Sequence, residues 1–485
     1  MVPTAVDTDL SPAVMSTKVS TENENAETFT TNKLPNGQYL LDRNLNKNYP
    51  VVVRGDGNYL FLEDGRRIFD TSSGAAVSCL GHNERRVIEQ MSKQLDTGVP
   101  YIPSLFYRHR LVDQLCEDMI RDTNYKMKKV YLTGSGSEAM EAAIKLARQY
   151  FWESNKETKR VNFIARQSSY HGNTIGALGI SGHAGRRAPY LPFLMDNVEH
   201  ISDCNPYRQR LVGESNEHFV ERKAAELEAK FQELGPDTVI GFIMEPIVGA
   251  AMGCVPYVPG YMKAMREVCH RHGALFILDE VMCGMGRTGT LHAWQAEDVV
   301  PDLQTVGKGL GGGYQPIAAV YISEKVVNTV TNGSGQFIHG QTYQAMPVQA
   351  SAALAVQTLK RDLDLVTNVR MQGKYLEKLL KEKLADHPNV GDIRGLGLFW
   401  GLEFVRDKEN KSPFESSQAI AQKIHDLAIS EPHNIVLYPG TGCAGGVSGD
   451  HVMICPAYIV QSEDIEVIAN TTASVVRSFF ENLGA

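Results

Sequence analysis

The sequence predicts an α/β fold in which a mostly parallel β-sheet carries helices on both faces. Uniformly apolar runs, "TVIGFIMEP" and "GALFILDEV", have the hydrophobicity of strands that are buried on both sides. Helical patterns separate such runs, which gives the strand–helix–strand order of parallel sheets. Polar residues follow the carboxyl ends of the runs, where these sheets bind ligands. We therefore expect a ligand site at that edge of the sheet.

Size and charge favour small molecules as ligands. The chain has 485 residues, which is enough for two or three domains. Charged residues make up 21% and hydrophobic residues 43%, a balance typical of soluble globular proteins. The net charge of −8 argues against nucleic acid or an anionic membrane as the main partner. No apolar run approaches the roughly 20 residues that cross a bilayer, so we expect no membrane partner.

The cysteines indicate a reducing compartment. The eight cysteines are scattered and form no CxxC pair, so we expect reduced thiols and a cytoplasmic location. The stretch "CHRHG" at 269–273 has the residue types of a metal site. It also ends a helical pattern with basic residues in the last turn and a glycine behind them, which is the ordinary end of a helix. We therefore predict no metal.

The first half of the chain contains most of the predicted strands. Residues 1–35 lack both an apolar segment and an arginine, which predicts a flexible arm rather than a secretory or mitochondrial leader. Residues 50–80 surround "GDG" and "EDG" turns and predict strand–turn–strand. A strand, a glycine turn and a helix follow in "KKVYLTGSGSEAMEAAIKLARQYF". A helix at 260–272 precedes "GALFILDEV".

The pattern changes after about residue 345. An amphipathic stretch over about 345–384 predicts one long helix, and "NVGDIRGLGLFWGLEFV" predicts strands packed on helices. We expect the two terminal pieces to form a smaller α+β domain together. The predicted organisation begins with a flexible arm at 1–35 and the N-terminal part of the small domain at 36–95. A large ligand-binding domain follows at 96–345, and the C-terminal part of the small domain occupies 346–485.

Lys308 lies in an unusual setting, between two glycines in "DLQTVGKGLGGGYQPIAAV". A buried ammonium is costly, so an exposed loop lysine is the first interpretation. A nucleotide-binding loop would need a hydroxyl residue after the lysine, and Gly309 stands there instead. A third interpretation is a lysine that forms a Schiff base with a carbonyl, because desolvation readily lowers the pKa of lysine. The stretch by itself leaves these alternatives open.

Four further features favour the third interpretation. The turn "TGSGSEAME" opens a helix, where backbone N–H groups bind phosphate, although such residues also simply cap helices. "LDEV" places Asp279 at the end of an apolar strand, and a single carboxylate suits a pyridinium N–H better than a metal. "SSYHG" adds an aromatic face, and "HGQTYQAMP" adds Thr342 before a helix. With Lys308, this set describes a site for pyridoxal 5′-phosphate (PLP).

Two stretches, "LDEVMCGMGRTG" and "GKGLGGGYQPIAAV", resemble the class III (subgroup II) aminotransferases of PLP fold type I, and among them the omega-amine:2-oxo acid transaminases most closely. The resemblance covers about 40–480. It implies a large domain with a mostly parallel, seven-stranded-type sheet and a smaller α+β domain from both termini. It also implies PLP as the cofactor, a homodimer with composite active sites, and ping-pong transfer of an amino group between an amine and a 2-oxo acid.

The resemblance also implies roles for single residues. Lys308 resembles the Schiff-base lysine, which takes the Cα proton and returns it, and Asp279 resembles the partner of the pyridinium nitrogen. Thr342 resembles a threonine that reaches the phosphate from the second subunit. Gly136 and Ser137 resemble the phosphate cup, and Tyr170, with its neighbour His171, resembles the ring that stacks on the cofactor. Val281 resembles the residue on the opposite ring face, and Glu245 resembles a glutamate near the cofactor's hydroxyl.

Three departures from the relatives bear on the substrate. Met453 and Ala250 stand where ornithine-, acetylornithine- and γ-aminobutyrate-type relatives have a carboxylate-binding arginine and its acidic partner. The stretch "GCAGGVSGDH" lacks the mobile arginine of amine:pyruvate-type relatives, and Ala76 stands where those relatives often have tryptophan. We therefore predict transamination of an amine, or of a substrate such as an omega-amino compound whose amino group is not flanked by a carboxylate. The alternative is a PLP isomerase, such as a racemase or aminomutase, which would use the same lysine and aspartate; a lyase is also compatible with them.

Overall fold

The computed structural model describes residues 39–155 and 158–483 of the chain. Of these described residues, 39–49 belong to a first compact unit, and those from Pro50 onward belong to a second. The flexible arm predicted for residues 1–35 lies outside the described residues. All helices and strands named below belong to the second unit.

The strands of the described residues form four sheets of three, seven, four and two strands. In chain order the strands are β1 (Val52–Asp56), β2 (Tyr59–Leu62), β3 (Arg67–Phe69), β4 (Lys129–Thr133), β5 (Asn162–Arg166), β6 (Val198–Ile201), β7 (Val239–Met244), β8 (Ile247–Val248), β9 (Val255–Pro256), β10 (Leu275–Asp279), β11 (Leu303–Val306), β12 (Ala318–Ile322), β13 (Val390–Leu396), β14 (Phe399–Phe404), β15 (Tyr438–Ala444) and β16 (Ser448–Ile454).

The central sheet has its seven strands in the order β4-β12-β11-β10-β7-β5-β6. The run from β11 to β6 is parallel, whereas β12 is antiparallel to both β4 and β11. Every residue of β7 and β10 is buried, as expected for strands covered on both faces. The prediction of a mostly parallel sheet is confirmed. Its parallel strands end at one edge, which is where the candidate site lies.

Helices cover both faces of the sheet. In chain order they are α1 (Ser73–Ala76), α2 (Arg85–Asp96), α3 (Arg110–Asp122), α4 (Gly136–Asn155), α5 (Ile175–Ile180), α6 (Ala184–Arg187), α7 (Pro206–Gln209), α8 (Asn216–Leu234), α9 (Tyr261–Arg271), α10 (Glu324–Asn332), α11 (Pro347–Asp362), α12 (Leu365–Leu384), α13 (Ile420–Ala428) and α14 (Ser462–Leu483). None of the described helices is both long and apolar enough to cross a membrane.

The two faces of the sheet belong to different hydrophobic clusters. Ile243 and Ile277 pack in the cluster that contains the apolar side of α4. Their neighbours Phe242 and Phe276 point to the opposite face and pack with residues of α8 and α9. This division follows from the alternation of side chains along a strand. It explains why the sequence of these strands is apolar without interruption.

The expectation of one long helix over about 345–384 is wrong. Two helices occupy this stretch, because Asp364 adopts a left-handed backbone with φ of 46° between α11 and α12. Aspartate tolerates this conformation better than most residues, and it is a weak helix former. The break lets the two helices pack differently: α11 contacts α2 and α3, whereas α12 contacts α14.

The terminal pieces of the chain pack together. The four-stranded antiparallel sheet has the order β13-β14-β16-β15. The Phe69 N–H donates to the Asn434 carbonyl at 2.8 Å, and the Val436 N–H donates to the Phe69 carbonyl at 3.1 Å. One hydrophobic cluster contains Phe69 together with residues of α12, α13 and α14. The predicted α+β piece from both ends of the chain is thus confirmed, while the predicted domain boundaries stay predictions.

Candidate active site

Asp279 ends β10 at the carboxyl edge of the central sheet and is 4% exposed. Its Oδ1 accepts hydrogen bonds from the Val281 N–H at 3.0 Å and from the Thr305 hydroxyl at 3.2 Å. Its Oδ2 lies 2.8 Å from Nδ1 of His171. A buried carboxylate without partners would be costly, and these three contacts hold it in one orientation. Asp279 is therefore a fixed acceptor at the strand end.

His171 connects the end of β5 to this carboxylate. Its ring is buried, and its backbone N–H donates to the Ser181 hydroxyl at 2.8 Å. The other ring nitrogen, Nε2, has no hydrogen-bond partner among the described residues. The neutral tautomer that donates from Nδ1 to Asp279 leaves Nε2 as an acceptor. The structure thus brings into contact two residues that the sequence offered in separate motifs.

Glu245 lies just beyond β7 and joins two loops of the site. Its Oε1 accepts a hydrogen bond from the Tyr170 N–H at 3.1 Å, and its Oε2 accepts one from the Gly249 N–H at 3.0 Å. Burial raises the pKa of Glu245; His171 opposes this rise and Asp279 adds to it. Glu245 therefore fixes the backbone of Tyr170, whose ring is half-buried at the same strand end.

Lys308 follows β11 and begins a short 3-10 turn. Its backbone φ of 41° lies in the left-handed region, and such strain in a non-glycine residue is concentrated at functional sites. Burial lowers the pKa of Lys308 to about 8, although Cys455, Asp279 and Glu245 favour the charged form. The neutral amine, which is the form that attacks a carbonyl, is therefore accessible near neutral pH.

The predicted glycine-serine turn opens α4. Gly136 begins the helix, and a Cβ at this position would lie 2.7 Å from Cγ1 of Val281, which is too close for any side chain. The Ser137 hydroxyl donates to Oδ1 of Asn173 at 2.8 Å and accepts from the Asn173 N–H at 3.1 Å. The first N–H groups of a helix have no partner inside the helix, so this start offers donors of the kind that bind phosphate.

Val281 brings these pieces together. Besides its close approach to Gly136, its Cγ1 would lie 3.3 Å from a Cβ on Gly307, the residue before Lys308. The backbone N–H of Val281 also donates a hydrogen bond to the carboxylate of Asp279. The start of α4, the end of β10 and the residue preceding Lys308 are therefore in direct contact through one side chain.

Thr342 stands apart from the other predicted residues. Its side chain is exposed, and it makes no hydrogen bond to any part of the chain that the structure describes. The neighbouring Tyr343 contacts Tyr101 edge to face, with ring centroids 6.3 Å apart. One chain therefore brings together all the predicted site residues except Thr342, whose predicted role requires a second subunit.

Two residues that support the site were missed by the sequence prediction. Ser181 anchors the backbone of His171, and Thr305 donates to Asp279. Thr305 carried a weak signal, since it lies three residues before Lys308, in the apolar strand that precedes the lysine. Ser181 carried none, because it lies in a separate loop ten residues after His171. Both contacts depend on how the strand ends meet.

Two buried ionisable side chains were also missed as parts of this site. Arg287, in "GMGRTG", is fully buried; its Nη1 donates to the Leu398 carbonyl at 3.0 Å and its guanidinium lies 4.5 Å from the Tyr458 ring centroid. The Arg287 charge also helps to lower the pKa of Lys308. Glu280 is fully buried, and burial raises its pKa to about 8. These groups surround the site rather than line it, so local sequence gave little indication of their roles.

The three positions that depart from the relatives belong to one hydrophobic cluster, which we call the apolar wall. Its buried members are Ala76, Ile247, Cys254, Met282, Cys283, Ala293, Phe399, Met453 and Cys455, and the partly buried Ala250, Tyr257 and Tyr438 pack against them. Met453 lies on β16 and is 1% exposed. Cys455, two residues later, is close enough to influence the pKa of Lys308. The apolar wall therefore borders the lysine.

The residues present fit PLP. Asp279 is a buried, oriented acceptor for a protonated ring nitrogen, and Lys308 has the lowered pKa of a reactive amine. A Cβ on Gly136 would intrude on Val281, so the helix start keeps its backbone open for a phosphate. His171 contacts the Asp279 carboxylate through Nδ1, and its other ring nitrogen, Nε2, has no hydrogen-bond partner among the described residues.

Proteins whose family is known are similar to this chain over most of its length. The family model described as "Aminotransferase class-III" matches residues 41–476. An aminotransferase of Gibberella zeae is 50% identical over 427 residues, which are 88% of this chain and 83% of that protein. These similarities give no support to the isomerase alternative.

Solved structures resemble it as well. An omega transaminase from Pseudomonas jessenii, in complex with PMP, superposes with a TM-score of 0.83 at 30% identity over 90% of this chain and 94% of its own. A thermostable omega transaminase variant, in which glycine replaces a tryptophan, was engineered for asymmetric synthesis of enantiopure bulky amines. It superposes with a TM-score of 0.81 at 29% identity over 89% of this chain and 94% of its own.

Proposed function

This chain belongs to the class-III aminotransferases, and from that premise we propose that its preferred amino donor is an amine that carries no carboxylate. The protein is a PLP-dependent enzyme of fold type I that moves an amino group between an amine and a 2-oxo acid. The observation that carries the proposed donor class is the apolar wall beside Lys308. A carboxylate placed against it would lack the cation that it needs out of water.

The catalytic roles that we propose follow from the geometry. Bound PLP supplies an electron sink for the charge that remains when the substrate carbon loses a proton. Lys308 would hold the cofactor through Nζ, and its amine, once free, would take that proton and return it. Asp279, oriented by His171 and Thr305, keeps the cofactor's ring nitrogen protonated. Neither role needs a metal, and Lys308 is the one group that moves a proton.

The remaining predicted residues would position the cofactor. Gly136 and Ser137, at the start of α4, would hold its phosphate through backbone N–H groups. Tyr170 and Val281 would contact the two faces of its ring. Glu245 would lie toward its hydroxyl and already fixes the Tyr170 backbone.

We propose a homodimer in which Thr342 completes the phosphate site of the partner subunit. The exposed side chain of Thr342 lies next to Tyr343, which is 61% exposed. Other large apolar side chains are exposed as well, among them Leu105 at 83% and Phe106 at 72%. A monomer in water would leave this apolar surface uncovered, and a second copy of the chain would bury it.

A reducing, cytoplasmic location agrees with the cysteines. All eight are unpaired, and seven of them are buried. Burial raises the pKa of most of these thiols, including Cys79, which keeps them as unreactive neutral groups. We propose the cytoplasm on this basis, and cell fractionation with an antibody to the protein tests it.

The donor class is tested by a panel of donors with one common acceptor, pyruvate. We expect kcat/KM for simple amines to exceed that for ornithine, acetylornithine or γ-aminobutyrate, each of which carries a carboxylate. The loss of a charge-assisted contact should produce a difference of about ten- to a hundredfold. Ornithine turned over with pyruvate faster than every simple amine would contradict the proposal.

A further inference from the structure

The second substrate raises a problem that the apolar wall does not solve. A 2-oxo acid brings a carboxylate into the site, and a carboxylate out of water needs a cation, best a guanidinium that binds both oxygens. The hairpin of β15 and β16, Tyr438–Ile454, contains neither arginine nor lysine. The cation must therefore come from another element.

Most arginines around the site are already engaged. Arg166 and Arg287 donate to backbone carbonyls in the interior. Arg208 and Arg394 both pair with the buried carboxylate of Glu403. Breaking a buried ion pair leaves an uncompensated charge, which is strongly unfavourable. None of these four guanidinium groups can turn to an incoming substrate at low cost.

Arg186 differs from these four. It lies on α6 and is exposed, and its guanidinium carbon lies 4.5 Å from the centroid of the Tyr170 ring. Within the described part of the chain, no carboxylate lies within ion-pair distance of it. A guanidinium stacked on an aromatic face is held in place while its N–H groups stay free to bind an anion. Tyr170 adjoins His171, which contacts Asp279 at 2.8 Å, so Arg186 stands at the same strand end as the candidate site.

A cavity of about 430 Å³ separates α6 from the tip of the hairpin. Its lining includes Ser168, Gly182 and Ala184 on one side and Cys443, Gly445 and Gly446 on the other, together with the polar side chains of Asp203, Asn205 and Arg208. The two sides approach closely, since a Cβ on Gly446 would lie 3.6 Å from Cβ of Ala184. Ala184 is the residue of α6 that lines this cavity, and Arg186 follows it two positions later on the same helix. The space between α6 and the hairpin is large enough for a small organic acid.

We propose that Arg186 binds the carboxylate of the 2-oxo acid acceptor and so determines which acceptors the enzyme uses. This inference rests on the proposed aminotransferase function, because it concerns the second substrate of that reaction. Arg186 contacts the Tyr170 ring and none of the proton-transferring groups. Its removal should therefore weaken acceptor binding and spare the reaction with the amine.

The test compares two acceptors in the holoenzyme with one amine donor. Pyruvate carries the carboxylate, and butanal lacks it. In Arg186→Ala we expect KM for pyruvate to rise about ten- to a hundredfold at nearly constant kcat, because a charge-assisted contact is lost. The kcat/KM for butanal should keep its wild-type value. Arg186→Lys should recover part of the pyruvate KM, since it restores the charge but not the two-pronged geometry.

Arg187→Ala is the matched control, because it removes an equal charge from the next position of the same helix. An equal rise in pyruvate KM in Arg187→Ala, or an equal loss with butanal in Arg186→Ala, would overturn the proposal. Calorimetric binding of propionate, which cannot react, supplies a second readout and should weaken only in the Arg186 variants. Failure of the wild type to aminate either acceptor would refute the proposed function; a wild type that aminates pyruvate, with unchanged KM in Arg186→Ala, would refute only the role of Arg186.

Discussion

Lys308 combines a strained backbone with a lowered pKa, and the lowered pKa predicts how the rate of PLP attachment depends on pH. An amine with a pKa of about 8 becomes neutral as pH rises through that value, whereas an ordinary lysine stays charged until pH approaches 10.5. We expect the rate constant for covalent attachment of PLP to the apoprotein to rise around pH 8 and then level off. Stopped-flow absorbance measures this rate, and a rise centred near pH 10.5 would contradict the lowered pKa.

Two variants show whether Lys308 is the lysine that reacts. Lys308→Ala should bind PLP without any borohydride-reducible bond and should lose nearly all turnover. Lys360 is a matched control, since burial also lowers its pKa to about 8, but its Nζ donates to the Met285 carbonyl at 2.8 Å. Lys360→Met should therefore lower stability and still form the reducible bond. Substantial turnover in pure Lys308→Ala would refute the assignment.

At the same scale, the sequence predicted the residues whose types are unusual for their setting. A lysine among glycines and an aspartate at the end of an apolar strand both conflict with ordinary burial preferences, which is why Lys308 and Asp279 were recognisable. Ser181 and Arg186 are ordinary for loops. Their contacts with His171 and Tyr170 arise only when separate loops meet, so the local sequence contained no sign of them.

The start of α4 gives a prediction at the scale of a single element. In Gly136→Ala, the new Cβ would lie 2.7 Å from Val281 Cγ1, so the helix start or the turn after β10 must shift. Overpacking of this kind costs about 1–3 kcal/mol, and we expect the affinity for PLP to fall correspondingly. Equilibrium titration of the apoprotein measures the Kd. Gly185→Ala, where the nearest atom lies 3.7 Å away, is the control and should bind PLP normally.

The sequence predicted the elements unevenly. The strands of the central sheet were recognisable because both of their faces are buried, which makes β7 and β10 apolar at every position. The break at Asp364 was not recognisable in the sequence, because the apolar pattern continues through it from α11 into α12. Asp364 ends the helical pattern, and the different packing of the two helices, α11 on α2 and α3 and α12 on α14, fixes the break there. Many helices contain a single aspartate, so tertiary contacts decide that this one separates two helices.

The whole molecule is predicted to be active only as a dimer. Each site would take its lysine from one chain and Thr342 from the other, so two inactive variants should complement each other. A hybrid of a Lys308→Ala chain with a Thr342→Ala chain has one site that lacks both groups and one that is intact. Mixing the two variants should therefore restore activity, and each hybrid dimer should approach half of the activity of a wild-type dimer. Full activity of wild-type protein shown by sedimentation to be monomeric would contradict the composite site.

The central claim is that this protein transfers an amino group from an amine to a 2-oxo acid in two separate halves. The most direct measurement mixes holoenzyme with a simple amine in the absence of acceptor and follows the cofactor absorbance and the released carbonyl compound. Our account predicts that one equivalent of carbonyl compound forms per site, that the reaction then stops with the cofactor in its amino form, and that pyruvate reverses this change while releasing one equivalent of alanine. Continuous conversion of the amine without acceptor, or no carbonyl compound with any donor, would contradict the account.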